Sequence, residues 1–401
     1  MGNRLKILHI NSGNFGSTGS IMLNISEAAD EKGHDSYVSF AKSRTSNKKV
    51  IKNGVSIGSI VERNVHLKLA YYTGLNGSFS IFSTKRFLRK IDIIKPDIIH
   101  LHNLHNCYIN LKLLFDYIKK KRIQVVWTLH DCWAFTGQCT HFTLTNCEKW
   151  KNQCYECPQY KEYPASRIDM TRKMYSLKKE WFNGVENLTL VTPSQWLADK
   201  VKQSFLRGYP VKIINNGIDL NIFKPIKSDF RSKYNLSKKK IILGVANPWS
   251  KGKGLDIFVE LAKKVDKSYK IVLVGLSSEQ LKSIPSNILG LPKTNNTQEL
   301  VGIYSSADYF VNPSIEETMG LVTVESIACG TPAIVSNFTA VPEMLNSESG
   351  IVIDKYDADT FYKAIKSNNK FKQENLLKWA ENFELKRKYK DYILLYESII
   401  K

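Results

Sequence analysis

The sequence predicts an α/β protein built from two similar halves, and three observations support this prediction. Short apolar runs alternate along the chain with longer segments of helical periodicity, which is the pattern of βαβ units around a parallel sheet. The length of 401 residues suits two domains with separate cores. Glycine-containing turns follow several of the apolar runs, and in open parallel sheets such turns hold ligands beyond the carboxyl ends of the strands.

The composition is that of a soluble globular protein, with 43% apolar and 24% charged residues. No apolar run approaches the ~18 residues that a membrane-spanning helix needs. The first residues lack the apolar core and the small-residue cleavage site of a signal peptide. We therefore expect a cytoplasmic protein.

The formal net charge is +21, from 58 basic and 37 acidic residues. This excess favours an anionic partner, which can be a phosphorylated substrate, the inner face of a cell membrane or nucleic acid. The basic residues are scattered over both halves, and no zinc-finger, helix-turn-helix or RNA-binding motif accompanies them. We therefore expect no nucleic-acid partner.

The first half opens with a strand predicted over residues 5–10, a Gly/Ser-rich loop over 11–20 and a helix over 21–29. Such a unit places backbone N–H groups, here around Gly16, where an anion can bind. The glycine spacing does not match G-x-G-x-x-G, and a loop without a ligand is the alternative. Further strands are predicted over 34–40, 96–102, 124–130 and 188–194, and helices over 63–72, 109–121, 169–185 and 195–204. Ser194 is predicted to be the N-cap of the last of these helices.

The second half carries two lysines, Lys251 and Lys253, in a glycine-containing turn over residues 247–256. Glycine allows close approach of a diphosphate and lysine supplies charge, although solvated surface lysines are the alternative. Strands are predicted over 240–246, 270–275, 309–311, 333–336 and 350–353, and a helical tail over 377–400.

The stretch 312–332 contains two acids, Glu317 and Glu325, eight positions apart, with Gly320 between them. A strand before the stretch and a short helix after Gly320 predict that a helix N-terminus, with its free N–H groups, lies at the edge of the sheet. Both acids can accept hydrogen bonds from hydroxyl groups. Two ordinary acids on the surface of an α/β unit are the alternative.

The motifs Pro313-Ser314, Glu317-x7-Glu325 and 328–332 (Ala-Cys-Gly-Thr-Pro) resemble the donor-binding signature of retaining glycosyltransferases of family 4. Thr318-Met319 stands where many members carry Gly-Phe. The resemblance implies the GT-B fold, in which two Rossmann-like domains face each other across a cleft and a C-terminal helix crosses back to the first domain.

A second family marker, 216–219 (Asn-Gly-Ile-Asp), lies where the first domain leads into the second. We expect an N-terminal acceptor-binding domain over 1–214 and a C-terminal donor-binding domain over 215–385. Residues 386–401 are expected to form the returning helix.

The resemblance also implies roles for individual residues. Glu317 would orient the donor sugar, Lys253 would neutralise the leaving diphosphate, and His130, at the end of a predicted strand, would contact the sugar. These three are the predicted catalytic residues. The predicted donor-binding residues are Gly16, Asn247, Lys251, Thr318, Met319, Gly320, Leu321 and Glu325.

One departure from the family pattern concerns the turn over residues 247–256. Asn247 stands where the family usually has an arginine. Lys251 would supply the missing charge, or fewer cations would hold the diphosphate.

Residues 132–166 interrupt the alternation of strands and helices with a cysteine-rich insertion. Cys139, Cys147, Cys154 and Cys157 are separated by seven, six and two residues. A cytoplasmic chain seldom uses such cysteines as disulfides, and C-x-x-C is a common half of a zinc site. The alternatives are a structural zinc ion and reduced cysteines packed as small apolar residues. Cys132 is a competing ligand.

The predicted function is transfer of a sugar, with retention, from a nucleotide-diphosphate sugar to a glycan or polyprenyl-linked acceptor. We expect a role in the synthesis of capsule, lipopolysaccharide O-antigen or exopolysaccharide, and peripheral binding to the inner membrane face. Catalysis is expected to need no cofactor. A non-catalytic sugar-nucleotide-binding subunit is the main alternative, and a GT-B epimerase or phosphorylase is a second enzyme alternative.

Overall fold

The computed structural model describes residues 4–42, 51–367 and 369–400. The extreme ends of the predicted domains, residues 1–3 and 401, lie outside the described residues. The chain divides into two compact units. The first unit comprises Met1–Ile214 with Tyr389–Lys401, and the second unit comprises Asn215–Lys388.

The first unit contains a parallel sheet of seven strands in the order β3-β2-β1-β4-β5-β6-β7. Both neighbours of β1 run parallel to it, and β4 is buried along its whole length, as expected for a sheet covered by helices on both faces. The strands are β1 (Lys6–Asn11), β2 (Asp35–Ala41), β3 (Gly54–Ile57), β4 (Ile98–Leu101), β5 (Gln124–Thr128), β6 (Leu188–Thr192) and β7 (Val211–Ile213).

The helices of the first unit have recognisable starts. Ser194, predicted as an N-cap, accepts the N–H of Leu197 at 3.2 Å, and Ser59 and Glu62 form a reciprocal capping box. The helices are α1 (Gly16–Glu31), α2 (Ile60–Thr73), α3 (Ile81–Ile94), α4 (Leu111–Lys121), α5 (Thr171–Phe182) and α6 (Gln195–Lys202).

The predicted start of the first helix at residue 21 is wrong, because α1 begins at Gly16. The segment that composition assigned to a loop is the first turn of the helix. A methyl group at Gly19 would lie 2.7 Å from the carbonyl carbon of Asn14. Glycine here therefore allows close packing of the turn.

The insertion over 132–166 contains two short 3₁₀ helices, Trp133–Phe135 and Lys149–Lys151, and no other helix or strand. Its aromatic side chains pack together, with the rings of Phe142 and Trp150 stacked at 4.6 Å.

The second unit contains a parallel sheet of six strands in the order β10-β9-β8-β11-β12-β13. The strands are β8 (Lys240–Val245), β9 (Tyr269–Val274), β10 (Ile288–Leu291), β11 (Tyr309–Asn312), β12 (Ala333–Ser336) and β13 (Gly350–Ile353). The helices are α7 (Phe230–Lys233), α8 (Leu255–Lys264), α9 (Ser278–Ser283), α10 (Thr297–Ser306), α11 (Leu321–Ala328), α12 (Ala358–Lys366), α13 (Gln373–Ala380) and α14 (Leu385–Ile399).

The last helix, α14, belongs to the first unit from Tyr389 onward. Tyr396 and Tyr392 are fully buried there and hydrogen-bond to His100 and Thr128, at 2.6 and 3.2 Å. No helix among the described residues is long and apolar enough to cross a membrane.

Candidate functional site

Two adjacent turns of the second unit lie where its strand order reverses. β8 and β11 are neighbours, although β8 is the first strand of the sheet in sequence. At such a switch point the connections leave in opposite directions and open a crevice beyond the carboxyl ends of the strands. The turns after β8 and β11 are held together by a hydrogen bond from Ile315 N–H to Gly252 O at 2.9 Å.

The two turns can lie this close together only because glycine occupies two positions in the first of them. A methyl group at Gly252 would lie 2.6 Å from Glu316 Oε2, and one at Gly254 would lie 2.6 Å from Pro313 Cγ. Gly254 also has a φ of 75°, which disfavours other residues.

The structure brings two of the predicted catalytic residues together. Lys253 Nζ lies 2.5 Å from Glu317 Oε1 and donates a second hydrogen bond to the backbone oxygen of Glu316 at 3.2 Å. Both side chains are half-buried, with 25% and 18% exposed. The ammonium therefore lies beside a carboxylate at the carboxyl edge of the sheet.

Gly320 begins the helix that follows β11. It has a φ of 88° and precedes Leu321, the first residue of α11. Its left-handed conformation turns the chain so that the first N–H groups of α11 end at the same edge of the sheet. Thr318, two residues before Gly320, is half-buried.

Met319 occupies a different environment from its neighbours. Its side chain is 2% exposed and belongs to the core of the second unit, where Met319 Sδ accepts the N–H of Asn216 at 3.2 Å. The family marker 216–219 thus packs against the signature turn. Met319 can offer a ligand only its backbone in this arrangement.

Glu325 is half-buried on α11 and accepts a hydrogen bond from Tyr304 O–H at 3.0 Å. Burial raises the pKa of Glu325 to about 7, and the Tyr304 hydrogen bond opposes that rise. Sequence reasoning missed Tyr304, which lies 21 positions away on α10, and no motif signals this contact.

Asn247 and Lys251 are exposed in the turn after β8. Their predicted contacts with a donor stay predictions.

The first unit has a cavity of about 400 Å³ at its own switch point, where β1 lies between β2 and β4. Gly16 and His130, both predicted from the sequence, line it together with residues from the turns after β1 and β4. The cysteine-rich insertion forms part of the wall. The lining includes Ser12, Gly13, Asn103, His105, Asp131, Thr140, His141 and Tyr163.

His130 lies at one end of a chain of imidazole rings. Its Nε2 lies 3.2 Å from His102 Nδ1, and His102 Nε2 lies 3.3 Å from His9 Nδ1. Burial lowers the pKa of His130 to about 4 and that of His9 to about 3. The rings are therefore neutral at pH 7, and each hydrogen bond between them pairs one N–H with one bare nitrogen.

A second polar chain in the same cavity runs through His105. His105 Nε2 lies 3.0 Å from Asp131 Oδ2, and His105 Nδ1 lies 3.1 Å from the hydroxyl of Tyr163. Tyr163 O–H donates to Asn106 Oδ1 at 2.6 Å. Although burial alone would raise it, the pKa of Asp131 is lowered by His105 and by the N–H of Trp133. Sequence reasoning gave no role to Asp131 or Tyr163, because their partners are remote in the chain.

The described residues of the first unit include two groups of potential metal ligands. His9, His100 and His102 have ligand atoms within 4.8 Å of one another, but His100 already bonds to Tyr396 and Thr128 at 2.6 and 2.8 Å. The four predicted zinc ligands, Cys139, Cys147, Cys154 and Cys157, line one small cavity together.

Comparison with known families gives matches over nearly the whole chain. The family model described as Glycosyltransferase Family 4 matches residues 18–222, more than half of the chain. The model described as Glycosyl transferases group 1 matches residues 226–384.

Among curated relatives, the putative colanic acid biosynthesis glycosyl transferase WcaC of Escherichia coli (strain K12) is 27% identical over 268 residues. The match covers 65% of this chain and 64% of that protein, so the chain spans just under two thirds of that relative's length.

Two solved structures share the fold. Sucrose-phosphate synthase from Thermosynechococcus elongatus superimposes with a TM-score of 0.71 at 16% identity, covering 99% of each chain. Anabaena HepE, solved in complex with UDP and glucose, gives a TM-score of 0.68 at 13% identity, covering 98% of this chain and 100% of that one. The predicted GT-B fold class is confirmed, and the chain belongs to glycosyltransferase family 4.

Proposed function

We propose that the protein is a retaining glycosyltransferase that moves a sugar from a nucleotide-diphosphate donor to a glycan or polyprenyl-linked acceptor. The observation that carries this proposal is the Lys253–Glu317 pair, 2.5 Å apart, beside the start of α11 at the switch point of the second unit. This arrangement combines a cation, free amide N–H groups and a hydroxyl acceptor within one crevice edge.

In the proposed reaction, negative charge builds on the diphosphate as its bond to the sugar breaks. Lys253 and the N–H groups that follow Gly320 would stabilise that charge, and such preorganised groups usually contribute the largest share of catalysis. Catalysis through these groups would use neither a metal ion nor an organic cofactor.

The two carboxylates would hold the donor on either side of the diphosphate. Glu317 would accept hydrogen bonds from sugar hydroxyls and Glu325 from the ribose. Neither carboxylate would act as a covalent nucleophile. Attack on the face from which the diphosphate leaves would give retention, and the leaving phosphate would help to take the acceptor proton.

The cavity of the first unit has the chemistry of a hydroxyl-binding site. His130 is neutral at pH 7 and can donate or accept a hydrogen bond. Asp131, His105 and Tyr163 form a connected set of hydrogen-bonding groups. We assign His130 to the donor sugar and the Asp131–His105–Tyr163 set to an acceptor hydroxyl.

The donor class can be tested directly by measuring binding of a panel of UDP-, GDP- and other nucleotide sugars by thermal shift and calorimetry. We expect one donor to raise the melting temperature, with Lys253→Ala and Glu317→Ala abolishing the shift. NMR of the product should show the anomeric configuration of the donor. An inverted product would contradict the retaining mechanism.

The same variants distinguish an enzyme from a non-catalytic sugar-nucleotide-binding subunit. Glu317→Ala should lower turnover by the purified chain, whereas a partner subunit would lose nothing in turnover. The relative named for colanic acid biosynthesis supports a role in the synthesis of a bacterial surface polysaccharide.

A membrane surface is supported by a patch on α2 and α3 that we call the apolar-basic patch. Phe82 and Val61 are 77% and 71% exposed. The two helices are joined by an ion pair between Glu62 and Arg86 at 3.5 Å. The patch consists of the exposed residues Val61, Val65, Leu69, Tyr72 and Phe82 with Lys68, Lys85, Arg86 and Arg89.

Exposed apolar side chains among lysines and arginines fit an anionic bilayer, which offers hydrocarbon and negative charge together. We expect the protein to co-sediment with vesicles that contain anionic lipid and to be released by salt. Phe82→Asp should weaken binding, and Val352→Asp, at a position 40% exposed in the second unit, should not. Equal binding to neutral and anionic vesicles would contradict the assignment.

A further inference from the structure

The four cysteines of the insertion converge although they are spread over nineteen positions of the chain, from 139 to 157. They line one small cavity with Gln138, Trp150 and Gln159. All four are free thiols, and Cys154 is 8% exposed. A set of four thiols around one cavity matches the ligand set of a structural zinc site.

The backbone around the C-x-x-C pair makes a tight turn that is held by hydrogen bonds. Glu156, between the two cysteines, has a φ of 42°, which turns the chain back on itself. Lys149 Nζ donates to the backbone oxygens of Tyr155 and Glu156, each at 3.1 Å, and thereby fixes this turn. Asn146, which precedes Cys147, also has a positive φ, of 47°.

The sulfur atoms receive amide hydrogen bonds of the kind that stabilise metal-bound thiolates. The N–H of Gly137 donates to Cys154 Sγ at 3.2 Å. The backbone N–H of Gln159 donates to Cys157, and the side chain of Gln159 donates to Cys139.

A buried cation lies close to the same sulfurs. Lys178 is 0% exposed, its Nζ lies 3.8 Å from the ring centroid of Trp133 and donates to the backbone oxygen of Trp133, and Cys154, Cys139 and Asp131 all favour its charged form. Burial of a lysine is costly unless a negative charge lies nearby. A zinc ion with four thiolates carries a net charge of about −2, which this ammonium would offset in part.

We propose that Cys139, Cys147, Cys154 and Cys157 bind a structural zinc ion that holds the insertion together. Each thiol loses its proton to solvent as its sulfur coordinates the metal, so four protons are released for each zinc bound. Among the described residues only the three histidines of the first unit bring three ligand atoms within 4.8 Å. The four sulfurs are therefore more widely spaced than in a closed site, and zinc draws them inward.

The zinc site has a consequence for the neighbouring cavity. Thr140 and His141, which line that cavity, directly follow Cys139. The metal therefore fixes the chain that carries this wall. This inference does not depend on the glycosyltransferase activity.

The first experiment measures metal in the full chain, expressed in zinc-supplemented medium and purified without a metal-binding tag. We expect about one zinc per chain, released when four thiols are titrated with a mercurial reagent. Cobalt exchanged into the site should give thiolate charge-transfer absorption and the intense d–d bands of tetrahedral cobalt. Iron in place of zinc, or a chain free of metal with rapidly reacting thiols, would overturn the proposal.

The second experiment compares cysteine variants. Cys154→Ser with Cys157→Ser should lower the zinc content at least tenfold. Cys132→Ala and Cys107→Ser are matched controls, since both cysteines are buried but neither lines the cavity, and both variants should keep the metal. Zinc retained in the double variant, or lost equally in the controls, would overturn the assignment. If the double variant fails to fold, the cobalt spectrum of the natural chain decides the question.

Discussion

Each unit has a crevice where the strand order of its sheet reverses, but different kinds of polar group line the two crevices. In the second unit the polar groups come from two turns that are each short in sequence, and the key contact is an ion pair between Lys253 and Glu317. In the first unit they come from several strands and an insertion, and they include the neutral imidazole of His130, which is backed by the buried rings of His102 and His9. The second unit thus offers a lysine paired with a carboxylate, whereas the first offers neutral imidazoles beside the carboxylate of Asp131.

This difference suits two kinds of ligand. A diphosphate needs a cation and amide dipoles, and an uncharged hydroxyl needs donors and acceptors of matched geometry. Charge removal should therefore be more damaging in the second unit than removal of an imidazole in the first.

The largest effect is expected for Lys253→Ala. Loss of a group that stabilises charge in the transition state should lower kcat by about 10²–10³-fold, measured as initial rates with saturating donor. Lys263→Ala is the matched control, because Lys263 pairs with Glu260 at 2.6 Å on the exposed face of α8 and should change the rate little. Similar rates for Lys253→Ala and the natural chain would contradict the expectation that loss of charge in the second unit is the most damaging change.

A smaller effect is expected for His130→Ala in the first unit. Loss of one hydrogen bond between neutral groups is worth ~1 kcal/mol, which corresponds to a rate decrease of up to about tenfold. His102→Phe should give part of this decrease, because His102 holds the Nε2 of His130 at 3.2 Å. A loss for His130→Ala as large as that for Lys253→Ala would show that the first unit contributes charge as well.

The third prediction concerns pH. Glu325 has its pKa raised to about 7 by burial, and protonation would turn one of the two oxygens proposed to accept hydroxyl groups into an O–H donor. The donor KM should therefore rise as the pH falls below 7. Tyr304→Phe removes the hydrogen bond that lowers this pKa, so the rise should begin at a higher pH. Glu325→Gln should abolish the pH dependence of KM.

The raised pKa of Glu325 also makes the stability of the folded protein depend on pH, in a direction that can be predicted. A carboxyl group with a raised pKa favours folding when it is protonated, so its contribution is present below pH 4.5 and is lost as the pH rises through about 7. Without donor, Glu325→Gln should therefore unfold at a higher temperature than the natural chain above pH 7. An unchanged melting temperature in that range would contradict the burial of Glu325.

The smallest effect is expected for Tyr396→Phe in the first unit. The Tyr396 hydroxyl bonds to His100 at 2.6 Å in the interior, and its loss should cost ~1 kcal/mol in the free energy of unfolding. Tyr71→Phe, at a position 45% exposed, serves as the control and should stay within ~0.5 kcal/mol. Denaturant unfolding measures both.

The features predicted from the sequence are those encoded by neighbouring residues. The parallel sheets, the N-cap at Ser194 and the glycine at the start of α11 all follow from local patterns. The Lys253–Glu317 contact does not follow from local patterns, since it requires that β8 and β11 be adjacent; the family resemblance implied only that both residues lie at the donor site.

The remaining features depend on contacts that no local pattern encodes. Tyr304 meets Glu325 from another helix, and Tyr163 reaches His105 across 58 positions. The start of α1 was misplaced because glycine and serine are typical of loops, although here Gly19 packs against the chain at Asn14. The strand β3 was not predicted, because its four residues are too few to show the alternation of apolar and polar side chains that marks a strand.

The mutual pairing of Lys253 and Glu317 has a consequence for what leaves the second unit after the reaction. In the proposed complex, the phosphate of an intact donor would bind the ammonium of Lys253, and the sugar hydroxyls would bind the carboxylate of Glu317. Each side chain would therefore exchange its contact with the other for a contact with the donor. The nucleoside diphosphate product has no sugar hydroxyls at this position, so it would bind the lysine and leave the half-buried carboxylate of Glu317 without a partner. In the proposed reaction the pair would therefore favour the incoming donor over the by-product.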